Sequence, residues 1–134
     1  MEKMKAKVIL TAAQIKALNA TPVQIIAAPG AGKGIVVEKA LLTKSTGIAY
    51  DGIAAGEDLT LKYTNGSGAT ILTAEMTGFL DSAALLMHNQ PASGSLVTAN
   101  AAVVAHMSTG EVATGTCTVL VEVDYTIVTI DPLV

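Results

Sequence analysis

The apolar residues of this chain come in short pieces. Gly, Thr, Ser and Asn cut the runs of Ala, Val, Ile and Leu before any becomes a long helix. No segment carries eighteen uninterrupted apolar residues, so none is expected to span a membrane. Yet 51% of the 134 residues are hydrophobic, which is too much to leave in water. Short apolar pieces separated by turn residues are what packed strands need. Only 3% of the residues are aromatic and there is no Trp, which suits flat, closely packed sheets better than a deep ligand pocket.

Read along the chain, Thr11 can cap a short helix over 11–19, with Ile15 and Leu18 on one face and Pro22 soon after. The stretch 22–27 reads as a strand, 29–34 as a turn, and 34–43 as a strand covered on both faces. The stretch 46–56 reads as loop. Leu59, Leu61 and Tyr63 alternate with Asp58, Thr60 and Lys62, the period of a half-buried strand. Asn65-Gly66 signals a hairpin into a strand over 69–76. Between 77 and 87 the pattern is ambiguous, and Asp81 offers a cap for a short helix through Leu86. The stretch 88–94 reads as loop, and 96–107 and 116–130 as two long strand regions joined through Gly110 and Gly115. In the last, Cys117, Val119, Val121, Val123, Tyr125 and Ile127 share one face.

About seven strands with Gly-rich turns predict a mainly β fold: an antiparallel β-sandwich or jelly-roll-like barrel with a short N-terminal helix. No linker divides the chain. The expectation is one domain over 1–134, with an N-terminal arm and helix over 1–21 and a β core over 22–134.

Charge narrows the partners. The net charge is −3 with a pI near 5.2, which argues against nucleic acid as the main partner. The lysines lie at or before Lys44, except Lys62. Cys117 is the only cysteine, so no internal disulfide forms, and it reads as a small packed hydrophobe. The opening residues lack the long apolar region and cleavage site of a signal peptide. The cluster Lys3, Lys5 and Lys7 suggests an arm reaching onto a neighbouring subunit, or else a frayed end.

No constellation points to catalysis, a metal or a cofactor. The segment from Ala27 to Gly34 looks like a phosphate-binding loop but departs from it. Ala27 stands where the first Gly belongs, Gly34 where Ser or Thr would hold Mg²⁺, and Ile35-Val36-Val37 favours a strand where a helix is needed. His88 and His106 have no ligand partners at metal spacing, although His106 falls among apolar residues and suits a subunit contact. Asp51, Glu57 and Asp58 match no calcium loop. Ser67, Ser82, Ser93, Ser95 and Ser108 sit in no nucleophile elbow, and the five methionines are scattered.

The block Ile9-Leu10-Thr11-Ala12-Ala13-Gln14-Ile15-Lys16-Ala17-Leu18, followed by Thr21-Pro22-Val23 and Ala28-Pro29-Gly30-Ala31-Gly32-Lys33, resembles small virion structural proteins of tailed bacteriophages. The Tyr50-Asp51-Gly52 loop, the Leu59, Leu61, Tyr63 strand and the closing Val123 to Val128 strand are also similar. The resemblance implies a non-enzymatic protein of the virion, assembled in the host cytoplasm. Within the virion it implies a capsid decoration (cement) protein, with a tail, neck or head-fibre component as the alternative. Partners would be further copies of itself, as a trimer at three-fold positions, and the major capsid protein or other virion proteins. Assembly contacts are expected on Ile9, Ile15, Leu18, Pro29, Gly30, Gly32 and Lys33. Two other readings remain open. One is a glycan- or host-surface-binding module using Tyr50, Tyr63, Phe79 or Tyr125. The other is a nucleotide-binding enzyme using Lys33.

Overall fold

The computed structural model describes residues 3–53, 57–94 and 96–130. The part of the expected loop at 54–56, and Ser95, lie outside the described residues. The described elements are β1 (Lys3–Leu10), α1 (Ala12–Lys16), β2 (Val23–Ile26), β3 (Lys33–Lys44), β4 (Tyr50–Asp51), β5 (Asp58–Tyr63), β6 (Thr70–Glu75), β7 (Leu86–Pro91), β8 (Val103–Met107), β9 (Ala113–Thr114) and β10 (Val119–Thr129). Two four-stranded antiparallel sheets run β1-β10-β3-β7 and β2-β8-β5-β6, with β4 and β9 as a small ribbon. These are called the first and second sheet below. The fold is therefore mainly β and sandwich-like, as expected, and the sheets stay open rather than closing into a barrel. No helix among the described residues is long and apolar enough to cross a membrane.

Alternation builds the interior. On β10, Val119, Val121 and Val123 are fully buried while Leu120, Glu122 and Asp124 on the other face are partly exposed. They meet Leu10, Leu42 and Ala40 of the first sheet and Leu59, Leu61, Leu72, Val103, Ala105 and Met107 of the second in one cluster. Burying each such aliphatic side chain contributes roughly 1.5–3 kcal/mol. Tyr63 fastens the sheets together, its hydroxyl donating from β5 to the Ile35 carbonyl on β3 at 2.6 Å.

Four expectations are corrected. The expected N-terminal arm is a strand of the first sheet. Its eight residues pair with β10 from Lys3 opposite Thr126 to Leu10 opposite Val119, and the Lys/apolar alternation that makes it a strand is present in the sequence. The expected helix after Asp81 and loop over 88–94 give way to turns and the edge strand β7. The Asp81 carboxylate accepts from Gly78 N–H at 2.6 Å and closes a turn instead of capping a helix. Pro91, which cannot donate to a ladder, ends that strand at the sheet edge. Of the strand region over 96–107, only Val103–Met107 is strand.

Local signals otherwise hold. Thr11 and Gln14 form a reciprocal capping box, with Gln14 N–H donating to Thr11 Oγ1 at 3.2 Å and Thr11 N–H to Gln14 Oε1 at 3.0 Å. The helix stops at Lys16, short of the predicted Asn19. Beyond it the chain runs beside β8, where Asn19 Nδ2 donates to the Met107 carbonyl at 2.7 Å. Asn65-Gly66 lies in the β5–β6 hairpin, but within a longer connection over 64–69 that places Thr64 at φ 72°.

Candidate functional site

The outward face of the first sheet is built in rows set by strand register. One row runs Ile9, Leu120, Thr43, Met87 across all four strands. Ile9 is 61% exposed and Met87 64%, and Leu85, two residues before Met87, is 63% exposed. With strands about 4.8 Å apart, the row is roughly 14 Å wide. The next row is Lys7, Glu122, Leu41, Asn89, and the next Lys5, Asp124, Lys39, Pro91. The face thus grades from an apolar end to a charged end.

At the charged end the ions pair within the face. Lys5 Nζ lies 3.5 Å from Asp124 and 3.7 Å from Glu122, Lys7 lies 3.8 Å from Glu122, and Lys39 lies 3.9 Å from Asp124. A bulge opposite Asp124 and Tyr125 leaves Glu38 outside the β3–β10 pairing, and Lys3 reaches it at 3.2 Å. Such exposed pairs contribute little stability each. They order the lysine side chains of an edge strand, and charge on an edge discourages uncontrolled strand addition.

The expected assembly residues divide. Ile9 lies at the apolar end of this face. Ile15 and Leu18 are 1% and 0% exposed and belong to the chain's own interior, so as they stand they offer no surface to a neighbour. Pro29, Gly30 and Gly32 lie in the turn between β2 and β3 and Lys33 opens β3, all at the surface. Asn100 pins that turn: Gly30 N–H donates to Asn100 Oδ1 at 2.9 Å, and Asn100 N–H to the Lys33 carbonyl at 2.7 Å. Ile130 N–H adds a bond to the Gly32 carbonyl at 2.9 Å. The Gly30 N–H is thus held by Asn100 and the Lys33 N–H by the Gly30 carbonyl at 3.2 Å, and a strand follows. A phosphate cradle needs free N–H groups and a helix N-terminus.

The remaining candidates are structural. Glu57, 3% exposed, accepts from Thr109 N–H at 3.1 Å, Thr109 Oγ1 at 2.6 Å and Gly110 N–H at 3.2 Å. It braces the turn after β8. Asp51 accepts from Thr114 Oγ1 at 2.9 Å. Asp58 stands opposite Glu75 on β6. Its carboxyl is held above the usual range by burial, and Glu75 and Glu57 add to the shift. Among the described residues no three His, Cys, Asp or Glu side chains converge on a common point. A groove of about 420 Å³ beside α1 is lined by Ala13, Gln14, Ala17, Thr21, Pro22 and Val23, none of them an acid or a base.

His106 is buried on the outward face of the second sheet, under the β5–β6 hairpin, and presents no exposed contact. It is 8% exposed on β8, against Gly66 of the hairpin, and its Nδ1 has no hydrogen-bond partner among the described residues. Burial, and then the Lys62 ammonium, hold its pKa below the ordinary value, against an opposing backbone hydrogen bond at Asn19. Tyr50, Tyr63 and Phe79 are at most 4% exposed, which removes them as stacking platforms for a sugar. Burial, with a smaller contribution from Cys117, raises the Tyr50 pKa to about 12. Met87, Leu85 and Leu41 escaped the sequence reading. No periodic signal marks β7, and Leu41 reads as one more residue of an apolar strand.

No protein-family model matches this chain, and no curated protein matches it. Among solved structures, a chain of the cyanophage Pam1 capsid asymmetric unit superposes with a TM-score of 0.51 at 20% identity, over 92% of this chain and 82% of that one. At that identity the likeness establishes a shared fold, spanning nearly the whole of the described β architecture.

Proposed function

We propose that this chain is a non-enzymatic structural protein of a bacteriophage virion, working as a capsid decoration protein. The observation that carries the reading is the fold likeness, over 92% of the chain, to a chain of a phage capsid asymmetric unit. The outward face of the first sheet supports it. Ile9, Leu120 and Met87 stand in one row, on three of its four strands with Thr43 between them, and grouped apolar residues mark protein contacts where scattered ones do not. In this reading the apolar end, with Ile9, Leu85, Met87 and Leu120, joins copies of the chain or seats them on the shell. The turn at Pro29, Gly30, Gly32 and Lys33 supplies a second contact. The partners are other copies, as a trimer, and the major capsid protein, and the place is the virion. Closed symmetric groups suit a protein needed in many identical positions. Buried area between subunits and shell then holds the shell together by mass action.

The test is mass and symmetry in solution: light scattering on purified protein, then negative-stain imaging of the same sample mixed with capsid shells. A compact closed oligomer that adds to shells at regular positions is the expected result. A monomer that leaves shells bare would overturn the decoration reading.

A further inference from the structure

Lys44 is fully buried, and its environment explains its packing but not its charge. It stands on the inward face of the first sheet, with Val119 and Leu86 as its neighbours across the strands. No carboxylate pairs with it among the described residues. A charge so placed is expensive unless it is compensated. Its Nζ donates to the Ser45 carbonyl at 3.2 Å and to the Ala84 carbonyl, and lies 3.9 Å from Cys117 Sγ. The thiol is fully buried too, and contacts the Ile48 carbonyl at 3.4 Å. The chain's only cysteine and a buried amine with no counterion therefore share one site.

The roof over the site is thin. Thr46, Gly47 and Ile48 are all exposed, and Gly47 lies directly above the sulfur. A Cβ on Gly47 would come within 3.3 Å of Cys117 Sγ and 2.8 Å of Thr116 Oγ1. The thiol thus lies one backbone layer from solvent. Below the roof, the Tyr50 hydroxyl donates to the Cys117 carbonyl and fixes that strand entry in place.

We propose that Lys44 and Cys117 are an oxidative cross-linking pair, joined Nζ–O–Sγ by one oxygen atom from dioxygen. The S–H bond and one N–H bond of the amine break, and an S–O and an N–O bond form. One atom of dioxygen becomes the bridge, and the other leaves as water with the two hydrogens. Sulfur and nitrogen each give up two electrons, and the four reduce dioxygen as its O–O bond breaks. The ammonium's extra proton goes to solvent. A thiol reductant supplying four electrons and four protons returns amine, thiol and water. The flexible lysine stem closes the 3.9 Å gap. The link fastens the end of β3 to the entry of β10 across 73 residues of chain, and cross-links that close long loops restrict the unfolded chain most. It is absent in a reducing cytosol and forms once the protein meets an oxidising medium.

The experiment is the intact mass of the folded full chain after incubation in air-saturated buffer, against an anaerobic sample. The expected result is a gain of one oxygen with loss of two hydrogens, mapped to a cross-linked peptide pair holding Lys44 and Cys117. Reductant reverses it, urea-unfolded protein does not form it, and the oxidised form unfolds at higher urea. Cys117→Ser and Lys44→Arg each abolish the mass change. An unchanged mass, whole oxygens added at Cys117 alone, or disulfide-linked dimers would overturn the proposal. The wild-type mass decides even if Lys44→Arg fails to fold.

Discussion

His106 shows how one side chain ties the outward face of the second sheet to pH. Its ring packs against Gly66, where a Cβ would come within 2.8 Å of Cδ2, and Lys62 adds repulsion to burial. A lowered pKa means that the folded state resists protonation while the unfolded chain accepts it. The stability is therefore fully present above the ordinary value of 6.5 and is lost as pH falls from there toward the folded value. Urea unfolding about one unit above and one unit below that value should show a lower midpoint on the acid side. In His106→Gln the acid-side drop should shrink. Gly115 gives a second test at this scale. It sits at φ 68°, and a Cβ there would come within 2.2 Å of the buried Tyr50 ring. Gly115→Ala meets both backbone strain and overpacking, and should cost about 2–4 kcal/mol in chemical denaturation.

At the scale of elements, the capping box predicts its own mutant. Thr11→Ala leaves an end of α1 uncapped and should cost about 1 kcal/mol, read as a lower thermal midpoint. The pairing of Asp58 with Glu75 makes the opposite prediction. Like charges directly opposed across β5 and β6 destabilise the pair, and the raised Asp58 pKa reports that repulsion beside its burial. Glu75→Lys should stabilise by about 0.2–1 kcal/mol, more at low salt than at high. These elements also show what a sequence exposes and what it hides. The Thr11 cap, the β5 alternation, and β2, β3, β6 and β10 were legible because each carries its own local composition, period or cap. β7 was not. Leu86, His88 and Gln90 form its half-buried face, and a polar inward face carries no hydrophobic period; only pairing with β3 makes that segment a strand. β1 carried the period, but its lysines suggested a solvated arm. The burial of Ile15 and Leu18 follows from where α1 docks, which no local pattern states. The apolar patch was hidden for the same reason: Ile9, Leu120 and Met87 stand far apart in the chain and meet only through register.

At the scale of the molecule, that patch has a direct test. Ile9 and Met87 leave most of their surface in solvent, so replacing each with a charge should barely change folding. The double variant Ile9→Lys, Met87→Lys should keep its unfolding free energy within about 0.5 kcal/mol of the parent. If the apolar row joins copies of the chain, the same variant should lose self-association. Two new lysines at the centre of a contact would be desolvated without partners, and removing or mismatching one such group costs 2–5 kcal/mol in related interfaces. That is about a thirtyfold or greater weakening. Lys5→Ala is the control at the charged end. Its ion pairs are exposed and internal to the face, so it should change association by less than about 1 kcal/mol. Light scattering over a concentration series separates the outcomes. A double variant that dissociates while Lys5→Ala does not places the contact at the apolar end of the first sheet. If all three proteins associate equally, the apolar row is not the contact between copies, and the Pro29–Lys33 turn becomes the surface to vary next.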